Sequence, residues 1–307
     1  MCFGLMKFLH TIGSLTELRS LIESRFTIYG VSRIYHVIAA RSQRRTVTTY
    51  HHYLNHNQTH PPLNPHLSSL QLTRTLSSSS AKMSNLNQAK NIWRKANAVC
   101  FDVDSTVIQE EAIDELAKYC GKGDEVQQLT MEAMKGGMDF RQALAIRLDI
   151  IRPTSTQLRN FIHGEKHRLT PYVKELVYEL HKREKEVYLI SGGFKSIIIP
   201  VAKDLNIPTS NVYANKLKFY YDGEYAGFDE NQLTSRSGGK GAAVRDLKEK
   251  HGYETVVMVG DGMTDWEAAP PADLFIGFGG NAYRPEVKNK SKWYVTDFRD
   301  LVNELRD

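Results

Sequence analysis

The sequence predicts an α/β protein whose doubly wound parallel sheet carries an inserted helical cap and a small β-hairpin. After residue 85, short apolar runs rich in β-branched residues alternate with helical patterns, which is typical of parallel sheets with right-handed crossovers. About 60 residues between the first two of these strands have only helical patterns, which indicates an insert outside the sheet. Alternating residues on both sides of Asp222-Gly223 predict the hairpin.

The predicted elements follow one another along the chain in a simple order. Helices are predicted over residues 85–95, 110–119, 126–135, 140–151, 156–163, 172–185, 194–205 and 240–251, and at the C-terminus. Strands are predicted over residues 99–103, 186–191, 212–214, 255–259, 274–278 and 293–295. These patterns divide the folded region into a core, residues 85–106 and 164–307, and a cap, residues 107–163.

The first 84 residues differ in composition from the rest of the 307-residue chain. They contain nine Lys or Arg and two acids, whereas the remainder contains 31 basic and 33 acidic residues. They are rich in Ser, Thr, His and Arg and lack sustained periodicity, and arginines interrupt every apolar run before it could span a membrane. This composition predicts a transit peptide for the chloroplast, with the mitochondrion as the alternative organelle and an untargeted disordered tail as the alternative structure.

Charge and cysteine content restrict the class of function. Because the basic excess lies in the first 84 residues, the nearly neutral remainder argues against a nucleic-acid-binding protein. The three cysteines, Cys2, Cys100 and Cys120, form no CxxC pair, which argues for a reducing compartment and against structural disulfides or a zinc site. No membrane partner is expected.

Two carboxylates end the first predicted strand. Asp102 and Asp104 are two positions apart, so an extended chain brings both to the same side, at the edge where open α/β sheets bind ligands. Acids this close repel each other unless a cation lies between them, and a hard ion such as Mg²⁺ suits carboxylate oxygen. A strand followed by an Asx turn is the alternative explanation of this stretch.

Three more polar groups follow later strands or precede a helix. Ser191-Gly-Gly193 offers a hydroxyl and backbone N–H groups to an anion, although a plain glycine turn explains it equally well. Asp261 and Asp265 supply metal-binding oxygen, or simply form a turn and a helix cap. Lys240 could contact a phosphate, but taken alone it is better explained as a solvated lysine. Together these groups predict a metal-assisted phosphoryl-transfer site.

The chain resembles the haloacid dehalogenase-like hydrolases in four motifs, in order and spacing: Asp102-Val-Asp-Ser-Thr106, Ser191-Gly-Gly193, Lys240 and Gly260-Asp-Gly-Met-Thr-Asp265. Longer strings are similar to the members that hydrolyse phosphoserine: Leu189-Ile-Ser-Gly-Gly-Phe194, Tyr225-Ala-Gly-Phe-Asp229 and Gly277-Phe-Gly-Gly-Asn281. The resemblance covers about residues 88–305. It implies a Rossmann-like hydrolase core and Mg²⁺-dependent hydrolysis of O-phospho-L-serine through an aspartyl-phosphate, the last step of phosphorylated serine biosynthesis.

The resemblance also implies a role for each matching residue. Asp102 would be the nucleophile, and Asp104 the acid for the departing serine oxygen and then the base for water. Mg²⁺ would be held by Asp102, the main-chain carbonyl of Asp104 and Asp261, with Asp265 supporting. The substrate would be bound by Glu111 through its ammonium, by Arg147 through its carboxylate, and by Met134, Ser191, Gly192, Lys240 and Thr264.

Some of these assignments differ from what the residues alone indicate. Without the resemblance, Glu111 is an acid favouring its own helix N-terminus and Arg147 belongs to a solvated helix face. Lys135 stands where the family usually has Gly after the Met, which predicts a shifted cap loop over residues 135–138. Two alternative functions remain at this stage, a phosphatase for another small molecule and a non-catalytic protein on the same fold. A homodimer is compatible with the resemblance.

Overall fold

In the computed structural model, residues 83–133, 139–164 and 167–306 are described, except the side chains of residues 130–133. The predicted pocket residue Met134, together with Lys135 and the rest of the loop 135–138, lies outside the described residues. The described residues contain no helix that is both long enough and apolar enough to cross a membrane.

A parallel sheet forms the centre of the described residues. Its strands are β1 (Ala98–Phe101), β2 (Glu186–Phe194), β3 (Val212–Asn215), β6 (Val256–Gly260), β7 (Leu274–Phe278) and β8 (Trp293–Val295). The order across the sheet is β3-β2-β1-β6-β7-β8, and every pairing is parallel. A separate antiparallel hairpin consists of β4 (Leu217–Phe219) and β5 (Tyr225–Phe228). The predicted doubly wound sheet and the predicted hairpin are both confirmed.

Helices cover both faces of the sheet and fill the segment between its first two strands. They are α1 (83–95), α2 (Ala112–Tyr119), α3 (Gly123–Ala133), α4 (Phe140–Ile151), α5 (Ser155–Gly164), α6 (Val173–Lys182), α7 (Lys195–Asp204), α8 (Gly239–His251), α9 (Met263–Trp266), α10 (Pro285–Lys290) and α11 (Arg299–Arg306). Helices α2 to α5 form the expected helical insert, since they occur between β1 and β2 without an intervening strand of the sheet.

The strands are mostly apolar because both faces of the sheet are buried. In β1, Val99 and Phe101 join one hydrophobic cluster, while Ala98 and Cys100 join a second cluster on the opposite face. The register pairs Phe101 with Leu189 of β2 on one side and with Val259 of β6 on the other. The residues that follow these three strands therefore meet at one edge of the sheet.

Two predicted strand limits at this edge are wrong by two residues or more. The first strand ends at Phe101 instead of Val103, because residues 103–107 form a wide turn. The strand predicted to end at Ser191 continues to Phe194, with an irregular register between Ile190 and Phe194. Both differences lie where the chain departs from regular pairing to form the candidate site.

Helix α1 is an integral component of the fold. Trp93 is fully buried, and its Nε1 donates a hydrogen bond to the carbonyl of Leu301 in α11 at 3.3 Å. Arg94 and Lys90 of the same helix pair with the carboxylate of Glu304, which is also buried. The helix therefore fixes the last helix of the fold against the sheet.

We expect a shortened chain beginning at Met83 to keep the stability and activity of the full chain. A chain beginning at Ala96 should unfold far more readily, because losing the burial of Trp93 alone removes about 3–5 kcal/mol of a free energy of unfolding of about 5–15 kcal/mol. Urea unfolding and phosphate release, measured on both chains and on the full chain, check this. Equal stability of the two shortened chains would show that α1 does not support the core.

Candidate active site

The turn after β1 places the first two acids. Residues Val103–Val107 form a wide turn whose backbone is not helical at Asp104 and Ser105, closed by the N–H of Ile108, which donates to the carbonyl of Val103 at 3.0 Å. Ser105 has a left-handed backbone with φ of 53°, which a non-glycine residue adopts only when its surroundings enforce it. This turn sends the side chains of Asp102 and Asp104 into one pocket, as predicted.

Asp104 is held from two directions. Its Oδ1 accepts the backbone N–H of Ala112, at the start of α2, at 2.8 Å, and its Oδ2 accepts the hydroxyl of Ser191 at 3.2 Å. The Ser191 oxygen in turn accepts the N–H of Gly193 at 2.8 Å. A Cβ on Gly193 would lie 2.9 Å from Asp104 Oδ2, so a larger residue here would displace the Asp104 carboxylate. The Ser-Gly-Gly segment thus orients the second acid directly.

A buried lysine joins the first acid to the last of the predicted motifs. Lys240 lies in the first turn of α8. Its Nζ is 2.8 Å from Asp102 Oδ1 and 2.7 Å from Asp265 Oδ1. The lysine is only 9% exposed. The interpretation of Lys240 as a solvated lysine is therefore wrong. The GGKG sequence does not indicate the two carboxylates that the fold brings to this lysine.

Mutual repulsion and burial raise the pKa values of the acids. Burial, followed by the charge of Asp265, raises the pKa of Asp102 to about 7, although Lys240 opposes this shift. Burial and the charge of Asp102 raise the pKa of Asp104 to about 6. Burial would lower the pKa of Lys240, but Asp102 and Asp265 raise it, so the lysine is charged. Additional positive charge at this point would favour the ionised acids.

The site has a donor set that fits a hard divalent cation. One carboxylate oxygen from each of Asp102, Asp261 and Asp265 lies within 4.8 Å of the others, and all three residues are buried. Among the described residues at this end of the sheet, acids outnumber the cations that face them. The acids are Asp102, Asp104, Glu111, Asp261 and Asp265, and the cations are Arg147, Lys240 and Arg284. Carboxylate oxygen in negative excess is the environment that Mg²⁺ prefers.

The helical insert contributes an acid to the same pocket. Glu111 precedes α2, but its side chain makes no capping hydrogen bond; instead its Oε1 accepts the hydroxyl of Ser105 at 2.8 Å. Burial and the nearby charge of Asp104 raise the pKa of Glu111 to about 7. Glu111 therefore lies at the N-terminus of its helix, as the residues alone indicate, and its carboxylate also belongs to the pocket.

The insert also contributes an arginine. Arg147 of α4 lines the pocket and is half-buried, and its Nε has no hydrogen-bond partner among the described residues. Since an unpaired guanidinium N–H is costly in a protein, this geometry favours an anionic ligand. The alternative of a solvated helix face is wrong for this residue.

Arg284 is a site residue that the sequence interpretation missed. Its Nη2 lies 2.8 Å from Asp261 Oδ2 and 3.6 Å from Glu111 Oε1, so it links the sheet edge to the insert. The available signal was its position in the loop after β7, three residues beyond the Gly277–Asn281 string. Loops after parallel strands line the same edge of a sheet, so a charged residue in such a loop can reach the site.

Most of the predicted site residues face one cavity of about 320 Å³, the size of a small-molecule site. Those that line it are Asp102, Asp104, Glu111, Arg147, Gly192, Lys240, Asp261 and Thr264. Ser191 and Asp265 lie behind this surface, hydrogen-bonded to Asp104 and Lys240 respectively. Met134 is outside the described residues.

Comparison with known proteins identifies the family. Residues 96–273 match the family model of the haloacid dehalogenase-like hydrolases, which covers more than half of the chain. The chain belongs to this family.

Within this family, the sequence of the hydrolase is similar to those of phosphoserine phosphatases. It is 54% identical to the phosphoserine phosphatase of Bos taurus over 221 residues, which are 72% of this chain and 98% of the relative. It is 46% identical to the chloroplastic phosphoserine phosphatase of Arabidopsis thaliana, over 70% of this chain and 74% of the relative. A solved phospho-aspartyl intermediate analogue of phosphoserine phosphatase superposes with a TM-score of 0.59 and 28% identity, covering 68% of this chain and 98% of that one. The resemblance suggested by the motifs is thus confirmed.

Proposed function

We propose that this hydrolase is a phosphoserine phosphatase, a phosphoric monoester hydrolase that converts O-phospho-L-serine and water to L-serine and phosphate. The observation that carries the proposal is a single pocket with two kinds of charged group. The sheet edge presents Asp102 and Asp104, which suit attack on phosphorus and proton transfer, and Lys240, which suits negative charge. The insert presents Glu111 and Arg147, which suit an ammonium and a carboxylate. High identity to phosphoserine phosphatases supports it.

The proposed chemistry uses the two acids in succession. A carboxylate oxygen of Asp102 forms a bond to phosphorus as the bond from phosphorus to the serine oxygen breaks, and Asp104 protonates that departing oxygen. Water then attacks the aspartyl-phosphate, Asp104 takes a proton from that water, and phosphate leaves. Lys240 offsets negative charge beside Asp102, and Gly192 lies in the pocket wall, where the absence of a side chain makes room for the Phe140 ring.

We assign the metal to the acidic cluster, where Asp102, Asp261 and the main-chain carbonyl of Asp104 would hold Mg²⁺ and Asp265 would support them. When bound, the ion would neutralise phosphate charge and favour the ionised form of Asp102. The predicted division into a core, residues 85–106 and 164–307, and a cap, residues 107–163, separates two tasks. The core would carry out the phosphoryl transfer and the cap would recognise the amino acid.

Substrate profiling tests the proposed function directly. Released phosphate is measured for a panel of phosphorylated metabolites, with Mg²⁺ and with a chelator. We expect phosphoserine to be hydrolysed fastest, and only when Mg²⁺ is present. Preference for a phosphate ester without an amino-acid group would instead favour another small-molecule phosphatase of the family.

Arg147→Ala should raise the KM for phosphoserine by roughly 10- to 150-fold, the equivalent of about 1.5–3 kcal/mol of charged hydrogen bonding to the substrate carboxylate. An aryl phosphate has no carboxylate, so its hydrolysis should fall much less. Steady-state kinetics on both substrates check this, with Arg159→Ala, an exposed arginine on α5, as the matched control. Equal losses on both substrates would mean that Arg147 acts on folding or chemistry instead of recognition.

We further propose that residues 1–84 are a transit peptide and that the mature enzyme works in the chloroplast, with the mitochondrion as the alternative. The acid-poor, Ser- and Thr-rich composition supports this, as does the chloroplastic relative. A fluorescent fusion of residues 1–84 should enter plastids, and a diffuse cytosolic signal would reject the assignment. In serine biosynthesis the enzyme would catalyse the final step. Homodimer formation remains a prediction that sedimentation velocity checks.

A further inference from the structure

The two chain segments that connect the helical insert to the sheet run side by side. Ile108 and Leu169 form an antiparallel bridge. Next to it, the N–H of Gln109 donates to the carbonyl of Arg168 at 2.9 Å, and the N–H of Thr170 donates to the carbonyl of Val107 at 2.9 Å. The two chain connections of the insert are therefore paired as a short ribbon.

Two polar side chains fasten this ribbon to the turn of the active site. The hydroxyl of Thr170, a buried residue, donates to the carbonyl of Thr106 at 2.7 Å. Asn281, from the loop after β7, directs its Nδ2 to three oxygens: the Thr170 hydroxyl at 2.7 Å, the Ser105 carbonyl at 3.2 Å and the Ile108 carbonyl at 3.3 Å. Neither residue belongs to the pocket lining.

The turn held in this way contacts the carboxylate of Glu111, which lines the pocket. Ser105 keeps its left-handed backbone within this network, and its hydroxyl donates to Glu111 at 2.8 Å. Among the described residues, the other group that pairs with the Glu111 carboxylate is Arg284, at the longer distance of 3.6 Å. Asp104 is less dependent on the network, because the hydroxyl of Ser191 from β2 also holds it.

We infer that Thr170 and Asn281 form a clamp whose role is to position Glu111 for the substrate. Both are positioning residues, since they act through the turn and touch no reacting atom. The inference rests on the proposed function, in which Glu111 binds the ammonium of phosphoserine. Releasing the clamp should therefore weaken recognition of the amino acid more than the phosphoryl chemistry.

Thr170 offers a matched pair of variants. Thr170→Val keeps the shape but removes the hydroxyl, whereas Thr170→Ser keeps the hydroxyl. We expect Thr170→Val to raise the KM for phosphoserine about tenfold, to change hydrolysis of an aryl phosphate less than about threefold, and to be rescued by Thr170→Ser. Any of three outcomes would overturn the inference. Thr170→Val could impair hydrolysis of both substrates equally, it could impair neither, or Thr170→Ser could be as impaired as Thr170→Val.

A double-mutant cycle and a structural readout complete the test. Because the two side chains share a hydrogen bond, adding Asn281→Ala to Thr170→Val should cost less than the product of the two single effects, whereas independent effects contradict the clamp. Hydrogen exchange without substrate should accelerate at residues 105–110 and 167–170 in Thr170→Val but not in Thr170→Ser; unchanged exchange contradicts it. This readout needs no substrate, so it tests the clamp independently of activity. Failure of the native enzyme to hydrolyse phosphoserine would refute the proposed function but not the clamp.

Discussion

Asp102→Asn should abolish phosphate release, by more than about 10⁴-fold, in a protein that stays folded. The amide is a far weaker nucleophile than the carboxylate, so the aspartyl-phosphate cannot form. The fold should survive because Asn keeps a side-chain oxygen for the Val103 N–H, and Lys240 retains its contact with Asp265 at 2.7 Å. Single-turnover phosphate release and thermal unfolding measure the two effects.

Asp246→Asn is the matched control for this change. Asp246 is an acid on α8 that pairs with Lys250 at 2.8 Å, outside the pocket, and its substitution should leave turnover unchanged. If Asp102→Asn released phosphate at a substantial fraction of the native rate, a covalent mechanism through this residue would be ruled out. A protein that melted much earlier than the control would point to a structural role for Asp102.

Asp104→Asn should lower kcat for phosphoserine by about 10²–10⁴-fold, the usual contribution of a general acid. The departing serine alkoxide is strongly basic and needs a proton, whereas an aryl oxide leaves readily without one. The loss on an aryl phosphate should therefore be much smaller in the first step. Steady-state rates on both substrates, together with the initial burst of phenol released from the aryl phosphate, distinguish formation of the aspartyl-phosphate from its hydrolysis.

The exposed acid Asp124 of α3 supplies the control, since Asp124→Asn makes the same chemical change outside the pocket. Near-native hydrolysis of phosphoserine by Asp104→Asn would refute the acid assignment. A loss of the same size on both substrates would indicate that Asp104 mainly organises the turn, through its bonds to Ala112 and Ser191.

The sheet was predictable because its strands are buried on both faces. Burial on both sides requires continuous apolar sequence, and the predicted strands over residues 274–278 and 293–295 match β7 and β8 in both limits. The acids at the strand ends were predictable for a related reason, since parallel strands bring their carboxyl ends together whatever the intervening chain does.

Other features of the site depend on contacts that local sequence does not encode. The left-handed backbone at Ser105 is not indicated by a glycine in the sequence. A long-range hydrogen bond from Asn281 to the Ser105 carbonyl helps to hold this conformation. Lys240 is buried because two acids that follow the neighbouring strands β1 and β6 neutralise it, and Arg284 reaches the pocket from a position three residues beyond the Gly277–Asn281 string.

The paired ribbon at Ile108 and Leu169 also has a consequence for how the protein folds. Before the insert forms, joining β1 to β2 means closing the whole loop between them. Once Ile108 lies beside Leu169, the effective loop is roughly a quarter as long, which lowers the entropic cost of closure by about 1 kcal/mol. The insert can therefore speed assembly of the central strands, and changes in it that alter substrate choice can also alter the folding rate.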